Sequence, residues 1–359
     1  MNFATMKGLT IPEGVVTQIT DASGRVLWAL SGGGPIVLQV EKITSDTYAG
    51  ETTYTGEQFI LLDIYPKTNG TVSVTYGGLT KTITDTSGAE TPNAQEVFFG
   101  TFNGVSDSVT TPASGELTIE GDCYAFACSG YSISSKNQKL YTGITDIVNW
   151  GSVDTIPSRA FGQILVGAAK ITTVKIPNSV KSIGEGAFSY CEQLISATIS
   201  NGITSIPTEM FISCIKLASV TIPSSVTSIG DGAFKFCEKL NSVTIPEGVK
   251  SIGDLAFFMS YDESGNLYAS LFEVVLPSTI QSIGANAFAY SGVSGGYYTY
   301  LKKIKFMGTT PPVLKGEVFG LGESITGVDL IIEVPKGCGE AYKAAEGWSA
   351  YADKIVEAS

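Results

Sequence analysis

Apolar residues in the second half of the chain keep a long, constant period. Phe161, Phe188, Phe211, Phe234, Phe257, Phe288 and Phe319 follow one another at intervals of 27, 23, 23, 23, 31 and 31 residues. The text around them repeats as IPNSVKSIGEGAFSYC, IPSSVTSIGDGAFKFC, IPEGVKSIGDLAF and LPSTIQSIGANAF. In the unit that opens with LASVTIP, Val220 and Ile222 alternate with Ser219 and Thr221, the period of a strand with one buried face. Pro223 ends that strand because it brings no N–H to a ladder. Val226 and Ile229 then point back inward, Gly230 permits a turn, and Asp231 is expected to cap a short helical turn carrying Ala233 and Phe234. One such coil cannot bury its own apolar side, so the units must stack, each Phe on its counterpart. The pattern predicts a solenoid over residues 141–335, with a parallel sheet and short helical turns.

The flanks are patterned differently. From Val334 the chain turns to Ala, Glu and Lys, with Tyr342, Ala345, Trp348 and Tyr351 along one side of two short helices. A solenoid needs its open end covered, so residues 336–359 are read as a C-terminal helical cap. At the other end, VTQIT and RVLWAL flank the turn Asp21–Gly24, a hairpin, and SGGGP follows as a flexible linker, closing a segment 1–34. Between Ile36 and about Tyr131, the runs IVLQVEKI, EQFILLDIYP, TVSVTYGG, LTKTITD, QEVFFGTF and ELTIEGD are short strands broken by Gly, Asn and Asp. Their spacing predicts an antiparallel β-sandwich of immunoglobulin-like type over residues 35–140. The fold class is therefore mainly β.

The repeated residues, in the form L–xx–V–x–IP–xx–V–xx–IG–xx–AF–xx–C, resemble the BspA-like (Treponema pallidum-type) leucine-rich repeat from roughly Ile156 to Pro335. The resemblance implies a curved solenoid that binds proteins or glycans on surfaces, and it covers the AYKAA–xx–W spelling of the tail as well. Ser200, where Pro is expected, and Met210, where Ala is expected, depart from the form. The passages TVSVTYGGLTKTITDTSGAE, FFGTFNGVSDSVTTPASGELTI and VTQITDASGRVLW resemble modules of tail-associated proteins in gut phages and prophages.

Composition removes several classes of chemistry. There is no histidine among 359 residues, which excludes Ser-His-Asp and Cys-His catalysis and His-ligated zinc. A net charge of −12 argues against nucleic acid, whose phosphates select clustered Lys and Arg. No apolar run reaches the roughly 20 residues of a spanning helix, and Met1–Val16 lacks the apolar core of a secretory signal. Phosphate loops, nucleophile elbows and zincin motifs are missing. Glu185, Asp231 and Asp254 recur one residue past the turn Gly, a capping or solvated position, and the Asp-x-Ser-Gly turns at Asp21, Asp85 and Asp262 lack the ligand pattern of a calcium loop. Cys191, Cys214 and Cys237 lie 23 residues apart and are read as packing residues, with a disulfide or metal as the alternative; Cys123 and Cys128 have C-x4-C spacing without a second pair. No catalytic residue, cofactor or metal is expected.

What is left is surface. Lys175, Thr198, Thr221, Thr244, Val275 and Lys305 point outward from the repeat strands, with Ser196, Ser219 and Ser242 two residues before the threonines. A Ser/Thr ladder also suits a sheet that binds nothing. The two 31-residue units are 8 residues longer than the 23-residue norm (31 − 23), and their extra residues fall near Phe258–Ser270 and Ser291–Tyr300. Phe258, Met259, Tyr261 and Tyr268 lie in or beside the first insertion, and Tyr290, Tyr297, Tyr298 and Tyr300 in or beside the second. Tyrosine gives large contact area and a hydroxyl at low entropic cost, so these tyrosines with Thr198, Thr221 and Thr244 are the candidate ligand contacts. The sequence thus suggests a non-enzymatic recognition protein that binds a surface protein or glycan. It is either a phage tail-associated receptor-binding protein, joined to other particle proteins through its N-terminal region, or a bacterial cell-surface adhesin. A glycan hydrolase is the remaining, remote class, and it requires an acid pair facing a groove.

Overall fold

The computed structural model describes the strands 18–20, 26–29, 36–41, 47–48, 51–52, 58–66, 71–76, 79–84, 95–102, 105–106, 115–121, 123–128 and 140–141. It further describes residues 143–151, 153–162, 171–240, 242–260, 273–291, 297–299, 301–320 and 330–359. The linker 31–35 and the Asp85 and Asp262 turns lie outside the described residues.

Gln18–Thr20 and Val26–Ala29 pair antiparallel. Beyond them, Val105–Ser106, Gln95–Phe102, Gln58–Pro66 and Cys123–Cys128 form one sheet, with Leu140–Tyr141 parallel to Gln58–Pro66. Gly143–Trp150, Ile36–Glu41, Gly115–Gly121, Thr71–Tyr76 and Leu79–Thr84 form another, antiparallel throughout. Alternation explains Thr71–Tyr76: Val72, Val74 and Tyr76 are buried, while Ser73 and Thr75 bond across to Thr82 and Thr80. Gly143–Trp150 falls on the solenoid side of the boundary read from the sequence at residue 141. Its hydrogen-bonding partner is nonetheless Ile36–Glu41, so this strand ties the N-terminal sheet to the first coil.

Each coil then contributes to two parallel sheets and one turn. In the first sheet, Thr173–Lys175, Ser196–Thr198 and Ser219–Thr221 run in register. Glu273–Leu276, Lys303–Phe306, Ile331–Val334 and Ile355–Glu357 continue the series farther along. The second sheet is built from the Ser-Ile pairs, with Ser205–Ile206, Ser228–Ile229, Ser251–Ile252, Ser282–Ile283 and Val313–Leu314 in succession. The third side is made of turns, joined near the insertions by one small sheet, and the ladder phenylalanines from Phe161 to Phe288 donate their N–H groups to the following coil, as Phe211 does to the Ala233 carbonyl at 2.8 Å.

The interior is a stack of rings. Successive ladder phenylalanines lie 5.1–6.2 Å apart between centroids with planes within 19° of parallel. All seven are fully buried. Trp150 closes the stack edge-on against Phe161 at 6.0 Å, and Tyr351 closes the other end edge-on against Phe319 at 5.1 Å. Beside the rings run three free, buried thiols. Cys191, Cys214 and Cys237 donate to the carbonyls of Phe161, Phe188 and Phe211 at 3.3, 3.1 and 3.2 Å. Burial pushes the Cys191 thiol up to about 12 and raises the other two as well, so all three stay protonated.

One detail corrects the expectation from sequence. Asp231 does not cap its own turn: its Oδ1 accepts the N–H of Asp254 in the next coil at 2.8 Å, and Asp254 does the same for Ala285. Glycine makes the room. A Cβ on Gly253 would sit 2.2 Å from Asp231 Oδ1 and 2.6 Å from Asp231 N, which is backbone and cannot step aside. Gly253→Ala is therefore expected to lower stability by about 3 kcal/mol, at the upper end of the overpacking range, and a thermal melt checks it. Ser200, which stands where the repeat form has Pro, uses its hydroxyl to bond the Pro177 carbonyl of the preceding coil at 2.9 Å.

The tail forms a helix, Gly339–Ala344, and a 3-10 helix, Ser349–Lys354. Tyr342 and Trp348 are fully buried and meet Phe306 edge-on at 5.6 and 5.2 Å. Their polar tips are satisfied: Tyr342 donates to the Gly308 carbonyl at 2.7 Å, and Trp348 Nε1 to that of Pro312 at 2.9 Å. The helical reading of this segment misses its last element, since Ile355–Glu357 adds a parallel strand beside Ile331–Val334. The Glu357 carboxylate accepts the N–H groups of Gly337 and Gly339, which hold it below the usual carboxylate range.

Candidate functional site

The first solenoid sheet carries the outward-facing residues. Strand alternation buries Val174, Ala197, Val243 and Val274 and leaves Lys175, Thr198, Thr221, Thr244 and Val275 exposed. Register pairs Lys175 with Thr198 and Thr198 with Thr221, so these side chains form one row across the coils. The row changes character along the solenoid. Its first part is hydroxyl-bearing; its far part is charged, where Lys303 and Lys305 both reach Glu333, at 2.5 and 2.9 Å. The hydrogen bond from Lys303 pulls the Glu333 carboxyl down and raises Lys303 in turn. These groups are partly exposed at the surface, where such ion pairs contribute little, so the cluster fixes a surface pattern more than it stabilises the fold.

Between the two parts the ladder is reduced. Where strands pair in this sheet they share three or four residue pairs, but Ser242–Ile245, among the described residues, is joined to the sheet only by the bridge of Thr244 with Val275. A groove of about 700 Å³ opens there, lined by Ser242, Thr244, Glu247, Glu273, Lys302 and Met307, with Val275 and Pro277 on its apolar side. Val275 and Met307 are 51% and 46% exposed, unusual for large apolar side chains on a polar sheet. Glu247 uses both carboxylate oxygens on Ser278, from its N–H at 3.1 Å and its hydroxyl at 2.9 Å. That carboxylate is a brace between coils.

The sequence candidates divide accordingly. Thr244 lies in the groove, and Thr198 and Thr221 lie on the same face beyond it. Tyr261, Tyr268 and Tyr300 are outside the described residues. Tyr290, Tyr297 and Tyr298 are described in backbone only: Ala289–Ser291 pairs with Met259–Ser260 on one side and Tyr297–Thr299 on the other, setting Tyr290 opposite Tyr298. The two insertions therefore join in one small sheet. Phe258 and Met259 are not surface contacts, being 6% and 2% exposed. Phe258 packs edge-on against Phe236 at 6.0 Å, under the Lys235 ammonium. Reading the sequence misses Glu247, Glu273, Lys302 and Met307. The available signal was Val275, an apolar residue in an otherwise polar row.

Among the described residues, no group of three or more His, Cys, Asp or Glu could hold a metal ion, and no helix is long and apolar enough to cross a membrane. Comparison with known proteins bears on the solenoid. No curated protein matches the chain. Among solved structures, the chain is similar to a leucine-rich repeat protein of T. pallidum, at 20% identity over 56% of this chain and 88% of that one, with a TM-score of 0.37. It is similar to a leucine-rich repeat protein from Bacteroides ovatus at 21% identity, 66% and 71% coverage and a TM-score of 0.32. A leucine rich cell surface protein from Faecalibacterium prausnitzii gives 22% identity, 55% and 65% coverage and a TM-score of 0.31. Residues 132–264 match the family described as the BspA type leucine rich repeat region, in six copies, while the stacked coils of the structure run on to Phe319 beyond the matched stretch.

Proposed function

We propose that this chain is a non-catalytic recognition protein, presented at a bacterial cell surface, that binds a surface protein or glycan through the exposed face of its first solenoid sheet. One observation carries the reading: Lys175, Thr198 and Thr221 stand in register and exposed beside a groove that interrupts the same face. A row of this kind offers many modest contacts, and affinity would concentrate where exposed apolar anchors are available, at Val275 and Met307. The family match concerns residues 132–264, so the resemblance of the N-terminal half to phage tail modules adds nothing to this reading.

The test is binding of the full chain to bacterial and host cells and to a glycan array. Thr198→Arg with Thr221→Arg should lower cell or glycan binding at least tenfold and leave the melting temperature unchanged, because both side chains already face water. Unchanged binding would overturn the proposal. Both Glu247 and Glu273 line the groove, so purified cell-wall glycans belong in the same experiment. Hydrolysis abolished by Glu273→Gln would replace recognition with catalysis.

A further inference from the structure

We infer that the solenoid hinges between the coil of Ser219–Thr221 and the coil of residues 242–245, its first-sheet face opening and closing there while the other two sides stay joined. The three sides of this junction differ. On the second sheet, Ser228 and Ile229 pair with Ser251 and Ile252, and Lys250 and Gly253 donate to the Thr227 and Ile229 carbonyls, both at 2.8 Å. On the Phe side, Gly232, Phe234 and Phe236 donate to Asp254, Ala256 and Phe258, each at 2.8 Å, and the Phe234 and Phe257 rings stack at 5.2 Å. On the first sheet, among the described residues, no strand pairing joins the two coils. Ile176 and Ile199 donate to the Thr198 and Thr221 carbonyls of the following coils at 2.9 and 3.0 Å; that series stops at Ile222.

The adjoining turn lacks its brace as well. At the neighbouring junctions a hydroxyl ties turn to turn, Ser225 bonding the Ile203 carbonyl at 2.6 Å and Thr279 that of Val249 at 2.8 Å. The same place here is Gly248, whose Cβ position lies 3.7 Å from the Val226 carbonyl oxygen but carries nothing to reach it. Packing records the seam independently. Val174, Ala197, Val274 and Ile304 point inward at 0–3% exposure, whereas Val243 is 8% exposed and Val220 only partly buried. Ile222 stands at 8%, against 0–3% for Ile176, Ile199 and Leu276. Water therefore reaches between these two coils on the first-sheet side.

Coils hold only their neighbours, so a junction fastened on two sides of three bends about those two. The motion changes the spacing between Thr221 and Thr244 and swings the hydroxyl-bearing coils against the charged ones. A ligand touching both parts selects one spacing. The hinge itself does not depend on the recognition reading, whose face it reshapes. The experiment places spin labels, carried on unnatural residues of the full chain, at Lys175 and Lys305 on the first sheet, and in a second sample at Lys181 and Val313 along the second sheet. Double electron–electron resonance should give the first pair a distance distribution at least twice as wide as that of the second. Thr221→Cys with Thr244→Cys, both at exposed positions, should cross-link on mild oxidation when the seam closes to the sheet spacing of about 4.8 Å, within disulfide reach. The cross-link should narrow the first distribution to the width of the second. Equal widths in the parent, a distribution that stays broad after cross-linking, or thiols that fail to join where those of Thr198→Cys with Thr221→Cys do would each overturn the inference. None of these outcomes touches the recognition reading, which the cell and glycan binding of Thr198→Arg with Thr221→Arg decides.

Discussion

A chain ending at Pro335 is expected to aggregate instead of refolding to a soluble form. Residues 336–359 seat Tyr342 and Trp348 on Phe306 and Tyr351 on Phe319, and all three rings are buried. Each such ring covers about 150–250 Å², so its removal opens the apolar interior of the last coils to water. Truncation also strips the Ile331–Val334 strand of its neighbour Ile355–Glu357, leaving an unpaired edge next to exposed Ile331. The Val318 N–H loses the Tyr351 hydroxyl that receives it at 3.1 Å. Sedimentation and light scattering of the truncated chain decide the matter; a soluble, monodisperse product would mean that the last coil closes itself. Replacing Trp348 alone by Ala should cost about 3–5 kcal/mol and keep the strand pairing, which separates loss of packing from loss of the edge.

The second large effect is expected at the middle of the ring stack. Phe211 is fully buried between Phe188 at 5.7 Å and Phe234 at 5.6 Å. Phe211→Ala should cost about 3–5 kcal/mol for the cavity, and two ring contacts worth about 0.5–1.5 kcal/mol each go with it. Because coils hold only their neighbours, that loss falls at one interface and uncouples the coils on its two sides. Calorimetry should show the solenoid transition of the variant broadened or split relative to that of the parent. Phe236→Ala serves as the comparison, since Phe236 is only half-buried and outside the stack.

Periodicity made the interior legible: one Phe per unit, at intervals of 23, 27 or 31 residues, names every phenylalanine of the stack before any coordinate is seen. Trp150 escaped because it belongs to a strand of the N-terminal sheet, and nothing in its local spelling says that it will face Phe161. Ile355–Glu357 escaped because three residues after a helical stretch carry no alternation long enough to read. Asp231 was misassigned for a related reason, its partner being 23 residues away in the next coil. The groove required more than any spelling offers. It joins Ser242 to Met307 across an insertion, where strand pairing between coils falls to a single bridge. Phe258 and Met259, beside the first insertion, are buried, which their irregular stretch of sequence does not announce.

The two rings that stop the stack, Trp150 and Tyr351, each close edge-on over one of its phenylalanines, Phe161 and Phe319. Neither end therefore carries any record of how many turns lie between them. Duplication of one 23-residue stretch in the gene would lengthen the body by about 4.8 Å and present the same two stops with the same two partners. Length is thus a free variable for natural variation, adjustable by whole turns, while the terminal architecture stays as it is.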